Sequence, residues 1–117
     1  MSVWAIVATL MMGAETSPLP PAMMTWGNNG SGQLGDGTTT NRSSPVAVAG
    51  TTWSAIAGGG QHSMALRTTG TLWTWGKNDS GQLGDGTTTN SSSPVAVAGT
   101  TWSVLAGGYS HSLALRT

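Results

Sequence analysis

The chain has 117 residues, four basic and four acidic side chains, no cysteine and 18 glycines. That length bounds it to one small domain, and the absence of any basic stripe excludes the counterion-displacing contacts of a nucleic-acid binder and a polybasic membrane contact. Without thiols there is no disulfide framework and no thiolate zinc site, although this does not decide between cytoplasm and secretion. Solubility rests on Ser, Thr, Asn and Gly, and a net charge of zero favours self-association.

Residues 1–22 form an apolar, proline-rich segment. Val3–Met12 (VWAIVATLMM) is too short to span a bilayer as a helix. Gly13-Ala14 suits a signal-peptide cleavage point, but no Lys or Arg precedes the apolar run. The segment therefore reads as a buried strand or short helix. Trp4 lies 49 residues before Trp53, which makes WAIVA a candidate eroded copy of WSAIA, and the segment a candidate half-repeat. Pro18, Pro20 and Pro21 then break regular structure before a strand at Met23, Met24, Thr25 and Trp26.

Further along, Val46–Ala49 (VAVA) predicts a short strand opened by Pro45, and Trp53–Ala57 (WSAIA) a second strand ended by three glycines. His62–Arg67 (HSMALR) alternates Met64 and Leu66 onto one face. Thr69-Gly70 signals a hairpin turn into Leu72–Trp75 (LWTW), rich in strand-favouring aromatics. Gly76–Ser93 is a long connection of turn-forming residues. No 3.6-residue apolar period survives the glycines, so helix is excluded.

The pattern then repeats. Thr25–Thr68 and Thr74–Thr117 align at a constant offset of 49, and only eight of 44 paired positions differ. A period of this length signals propeller blades or an array, so the expected fold is all-β, with four-stranded antiparallel blades, about two per chain. The expected division is an N-terminal segment 1–22, repeat 1 over 23–71 and repeat 2 over 72–117, the latter lacking its last strand.

The stretches LWTWGKNDSGQLGDG, PVAVAG and WSAIAGGGQHSMALRTTG resemble the repeat of the regulator-of-chromosome-condensation family from Met23 to Thr117. The very uniform units are more similar to its bacterial versions than to its eukaryotic ones. The resemblance implies β-propeller blades, usually seven to a ring, and protein–protein interaction on the propeller faces. Nucleotide exchange on a small GTPase, ultraviolet sensing and β-lactamase inhibition are roles of individual members. Here the basic tail, the Trp-Arg motifs and the blade-to-blade loop variation behind those roles are missing.

Grouped in chain order, one blade is expected from the strands near 46–49, 53–57, 62–67 and 72–75, and a second with three strands near 95–98, 102–106 and 111–116. A blade alone cannot bury its faces, and an unpaired edge is a template for another chain. The expected inter-chain pairing brings Met23, Met24, Thr25 and Trp26 of one copy beside His111, Ser112, Leu113, Ala114, Leu115 and Arg116 of the next. Such contacts close into a ring or run on as a filament. The competing explanation is a fragment of a longer array.

Candidate chemistry is sparse. His62-Ser63 and His111-Ser112 are neighbours on a strand and point to opposite faces, so neither is a nucleophile–base dyad; each imidazole is expected to bond a backbone turn. Asp79 and Asp85 lack the ligand spacing of a calcium loop, and turn roles are expected for Asn29, Asn78, Asp36 and Asp85. Trp26, Trp53, Trp73, Trp75 and Trp102 are expected between blades. Among the positions that differ between copies, Arg42, Gln61, Lys77, Asp79 and Tyr109 are the candidate surface contacts. The expected activity is non-enzymatic protein binding, to itself or to an unidentified protein, with no cofactor, metal or small-molecule substrate. A secreted inhibitor or adhesin is the alternative.

Overall fold

The computed structural model describes residues 22–117, and every one of them lies in strand, turn or loop. The readings of Val3–Met12, Gly13-Ala14 and the early prolines fall outside the described residues. Eight strands follow one another: β1 Met24–Gly27, β2 Arg42–Ala47, β3 Trp53–Gly58, β4 His62–Arg67, β5 Leu72–Gly76, β6 Ser91–Ala96, β7 Trp102–Gly107 and β8 Ser112–Arg116. All pairing is antiparallel, in three sheets ordered β1-β2, β3-β4-β5-β6 and β7-β8.

One complete four-stranded blade thus lies between two half-blades. This corrects the grouping expected from chain order. The strand containing Val46 pairs with β1, which precedes it, and not with β3, which follows it. The same holds for β6, whose Val95 lies opposite Thr74 of β5. The second repeat accordingly places two strands, not three, in the last sheet.

The reason lies in the connection. Gly50 and Thr52 both adopt positive φ, +109° and 65°, and turn the chain out of the sheet before β3 begins. A side chain at Gly50 would collide with the Arg67 guanidinium, 2.7 Å away, so the tight path needs glycine. The strand is also longer than VAVA. Pro45 and Pro94 sit inside β2 and β6, where the register slips opposite Trp26 and Trp75. A bulge on an outer strand is where a residue without N–H does least damage.

Apolar residues from adjacent sheets meet in two inter-blade cores. Met23, Val48, Trp53, Ala65 and Trp75 fill the first, with the Trp53 and Trp75 rings 6.3 Å apart and tilted by 55°. Met64, Leu66 and Leu72 fill the second, against Val97, Trp102, Leu105 and Ala114. Arg67 lies between the Trp53 and Trp73 rings, 5.0 and 5.1 Å from their centroids. The radius of gyration is 15.5 Å, where a closed globule of this length would have about 13 Å. Blades side by side, without a closing partner, form an open arc.

Candidate interaction surface

The long loops after β1 and β5 are built around one buried asparagine each. The Asn29 amide nitrogen donates to the Thr38 and Thr40 carbonyls, both at 3.0 Å, and to Asp36 Oδ1 at 3.2 Å. Its Oδ1 accepts the Leu34 amide at 2.9 Å. Asn78 repeats the set with Thr87, Thr89, Asp85 and Leu83. The Thr38 hydroxyl above all, helped by the Thr38 amide, Arg42 and Asn29, holds the Asp36 carboxyl down to about 2 against the opposing effect of burial. These carboxylates are spent on the loop itself, as the turn reading expected. Among the described residues no group of three or more His, Cys, Asp or Glu could hold a metal ion.

Thus stiffened, each loop leans on the blade that follows. The Gln33 carbonyl accepts Ser63 Oγ at 2.7 Å and the Trp75 indole N–H at 2.9 Å. The Gln82 carbonyl accepts Ser112 Oγ at 2.7 Å in the same way. His62 Nε2 lies 2.9 Å from Ser112 Oγ. The hydroxyl has one proton, and the carbonyl can only accept it, so the imidazole donates through Nε2. This corrects the backbone-turn partner expected for His62: it bonds the serine of the next repeat. It is no activated dyad, because the ring holds a proton towards Ser112 instead of taking one. Burial chiefly, with the neighbouring His111 charge, pushes the His62 pKa below its ordinary value of 6.5 against the opposing pull of the His111 backbone. The ring packs over Gly59, where a Cβ would lie 2.1 Å from Cε1.

Repeat-equivalent residues have opposite fates at the centre and at the ends of the arc. Trp75 is 1% exposed and its equivalent Trp26 is 61% exposed. Met64 is 1% exposed against 61% for Leu113, and Leu66 4% against 62% for Leu115. The side chains are alike; what differs is the adjacent blade: Met64 and Leu66 lie against Trp102, Leu105 and Ala114 of the following sheet, and Trp75 against Met23, Val48 and the Gly35 loop of the preceding one. Met24 and Trp26 on β1, and Leu113 and Leu115 on β8, stand at the two sheet edges that no strand among the described residues pairs with. Met23 differs from the rest of its proposed edge, being buried in the first core, and Ala114 packs against the second.

The candidate surface contacts divide. Tyr109 is exposed and lies against Gly60, whose added Cβ would come within 2.6 Å of the ring. Lys77 and Asp79 pair with each other at 3.5 Å. Arg42 is paired with Asp36 at 3.0 Å, and the Gln61 carbonyl accepts the Lys77 amide at 2.9 Å. Sequence reasoning missed the docking carbonyls of Gln33 and Gln82. The signal was there in the fixed distance from each Gly-Gln-Leu-Gly to the Ser downstream, but backbone acceptors carry no residue signature.

Short antiparallel blades, repeated in tandem and stacked side by side, define a β-propeller repeat protein. The sequence profile of the regulator of chromosome condensation (RCC1) repeat matches residues 23–66 and 69–115, and a second profile of that repeat matches 53–82; the chain belongs to this family. Among solved structures, human WBSCR16 is similar with a TM-score of 0.72 and 29% identity, over 82% of this chain and 27% of that one. Yeast RCC1 (Prp20), bound to Kap60, gives 0.70 and 22% over 81% and 26%. Prp20p from Saccharomyces cerevisiae, in a structure described with its binding to Gsp1p and histones, gives 0.68 and 24% over 81% and 27%. The chain spans about a quarter of these proteins' length. No curated protein matches it significantly.

Proposed function

We propose that this chain is a non-enzymatic protein-interaction module whose half-blades are completed head to tail by further copies of itself. The observation that carries this reading is the contrast between Trp75, Met64 and Leu66, which are covered, and Trp26, Leu113 and Leu115, which are not. The β4–β5 pairing supplies the template. In it Ser63 lies opposite Trp75, Met64 opposite Thr74 and Ala65 opposite Trp73. Carried across by the repeat, Ser112 of one copy faces Trp26 of the next, Leu113 faces Thr25, and Ala114 faces Met24. A sheet in the order β7-β8-β1-β2 then forms from two copies. Protein partnering is supported by the related yeast protein, described with Kap60, Gsp1p and histones.

A second reading follows from length. The chain spans 26–27% of its structural relatives, so further repeats of a longer polypeptide would cover the same edges. Light scattering on the purified 117-residue chain across a wide concentration range tests the first reading. A mass several times the 11.8 kDa of one chain is expected. A folded species of 11.8 kDa at every concentration contradicts it.

A further inference from the structure

Gly35 and Gly84 occupy equivalent places in the two long loops and share a left-handed backbone, with φ of +75° and +70°. Their surroundings differ completely. The Trp75 indole presses on Gly35 so closely that an added Cβ would lie 2.6 Å from Nε1. At Gly84 the nearest atoms are the Val97 methyls, 3.8 Å away, and no aromatic atom comes within 4 Å, although Trp102 lines the same hollow. The neighbouring acceptors tell the same story. The Gln33 carbonyl takes two hydrogen bonds, from Ser63 and from the Trp75 indole. The Gln82 carbonyl takes the equivalent bond from Ser112, and among the described residues no indole donates to it. Beside it an open hollow of about 180 Å³ is lined in part by Gln82, Gly84, Ser112 and Ala114.

We propose that this hollow is a tryptophan-binding seat, and that its occupant is Trp26 from a second copy of the chain. This rests on the head-to-tail reading above and adds what determines its specificity. The occupied seat is already visible within one chain as Trp75 on the loop of the first repeat. Trp26 occupies the same register position on β1 as Trp75 on β5, is followed by glycine as Trp75 is, and lies exposed. Its N–H finds the second lone pair of the Gln82 carbonyl, and its ring face covers Gly84. The left-handed backbone at Gly84 favours glycine in its own right, and any side chain there would also close the seat. A large aromatic ring buried at the centre of a small interface, with one directed hydrogen bond, is the usual composition of a binding hot spot.

The test is sedimentation equilibrium of the full chain and two variants. Trp26→Ala is expected to weaken self-association by about 30-fold or more, and Trp26→Phe, which keeps an aromatic ring but loses the N–H and part of the ring area, by about fivefold. Both variants should keep the wild-type circular dichroism when dilute, since Trp26 packs on nothing essential in the single chain. As a second measurement, a synthetic peptide of residues 22–30 in excess should dissociate the wild-type assembly, and the same peptide with alanine in place of its tryptophan should not. An assembling wild type whose affinity is unchanged by Trp26→Ala overturns the seat alone. A wild-type chain that stays monomeric throughout overturns both the seat and the head-to-tail reading.

Discussion

His62 shows how much one duplicated residue gains from position. Its ring is enclosed between Gly59 and the next repeat and donates through Nε2 to Ser112, whereas His111, its equivalent in the second repeat, is exposed. Burial keeps His62 neutral in the folded chain by lowering its pKa from 6.5. The unfolded chain therefore takes up the proton first as the solution is acidified. Stability is fully present above about pH 6.5 and declines as the pH falls through that value, because protons favour the unfolded state. Urea unfolding at pH 7.5 and 5.5 should show a lower midpoint at the acid pH, and His62→Gln should shrink that difference. An equal difference in wild type and variant would remove His62 as its cause.

At the scale of the loop and strand, the buried asparagines hold the structure together. Asn78→Ala leaves the Thr87 and Thr89 carbonyls without their donor and the Leu83 amide without its acceptor. The fully buried Asn78 and the Leu83 amide would lose their bonds together with two partly buried carbonyls, which should cost on the order of 2 kcal/mol, read as a drop in the denaturant midpoint; a change within the range of a surface substitution would contradict the role. The elements themselves were legible in the sequence. Two-residue alternation in HSMALR, the aromatic LWTW and the Thr-Gly turn each give a strand or turn where the structure has one. The asparagines were legible only as turn residues, because their burial is created by carbonyls nine and eleven positions away. Sheet membership was not legible at all. Whether VAVA joins the strand before it or after it depends on the backbone turn at Gly50 and Thr52, and a β-branched residue with φ of 65° is something no propensity anticipates.

For the whole molecule, the repeat makes the chain its own reference structure. Trp26, Leu113 and Leu115 at the ends have buried counterparts in Trp75, Met64 and Leu66 in the middle, so the missing partner can be specified at these positions. The direct test is a cross-link in the register of the β4–β5 pair, where Ala65 faces Trp73. The repeat maps that pair onto Ala114 and Met24. Directly opposed residues in an antiparallel pair have Cβ atoms about 5 Å apart, near the span that a disulfide bridges. The chain has no cysteine of its own, so any bridge comes from the substitutions. Chains carrying Met24→Cys mixed with chains carrying Ala114→Cys are expected to form a mixed disulfide dimer efficiently on mild oxidation. Leu113→Cys in place of Ala114→Cys turns the thiol to the other face of the strand and should not bridge to Cys-substituted Met24. Equal yields from the two mixtures, or no mixed dimer from the first, would contradict head-to-tail completion of the blade.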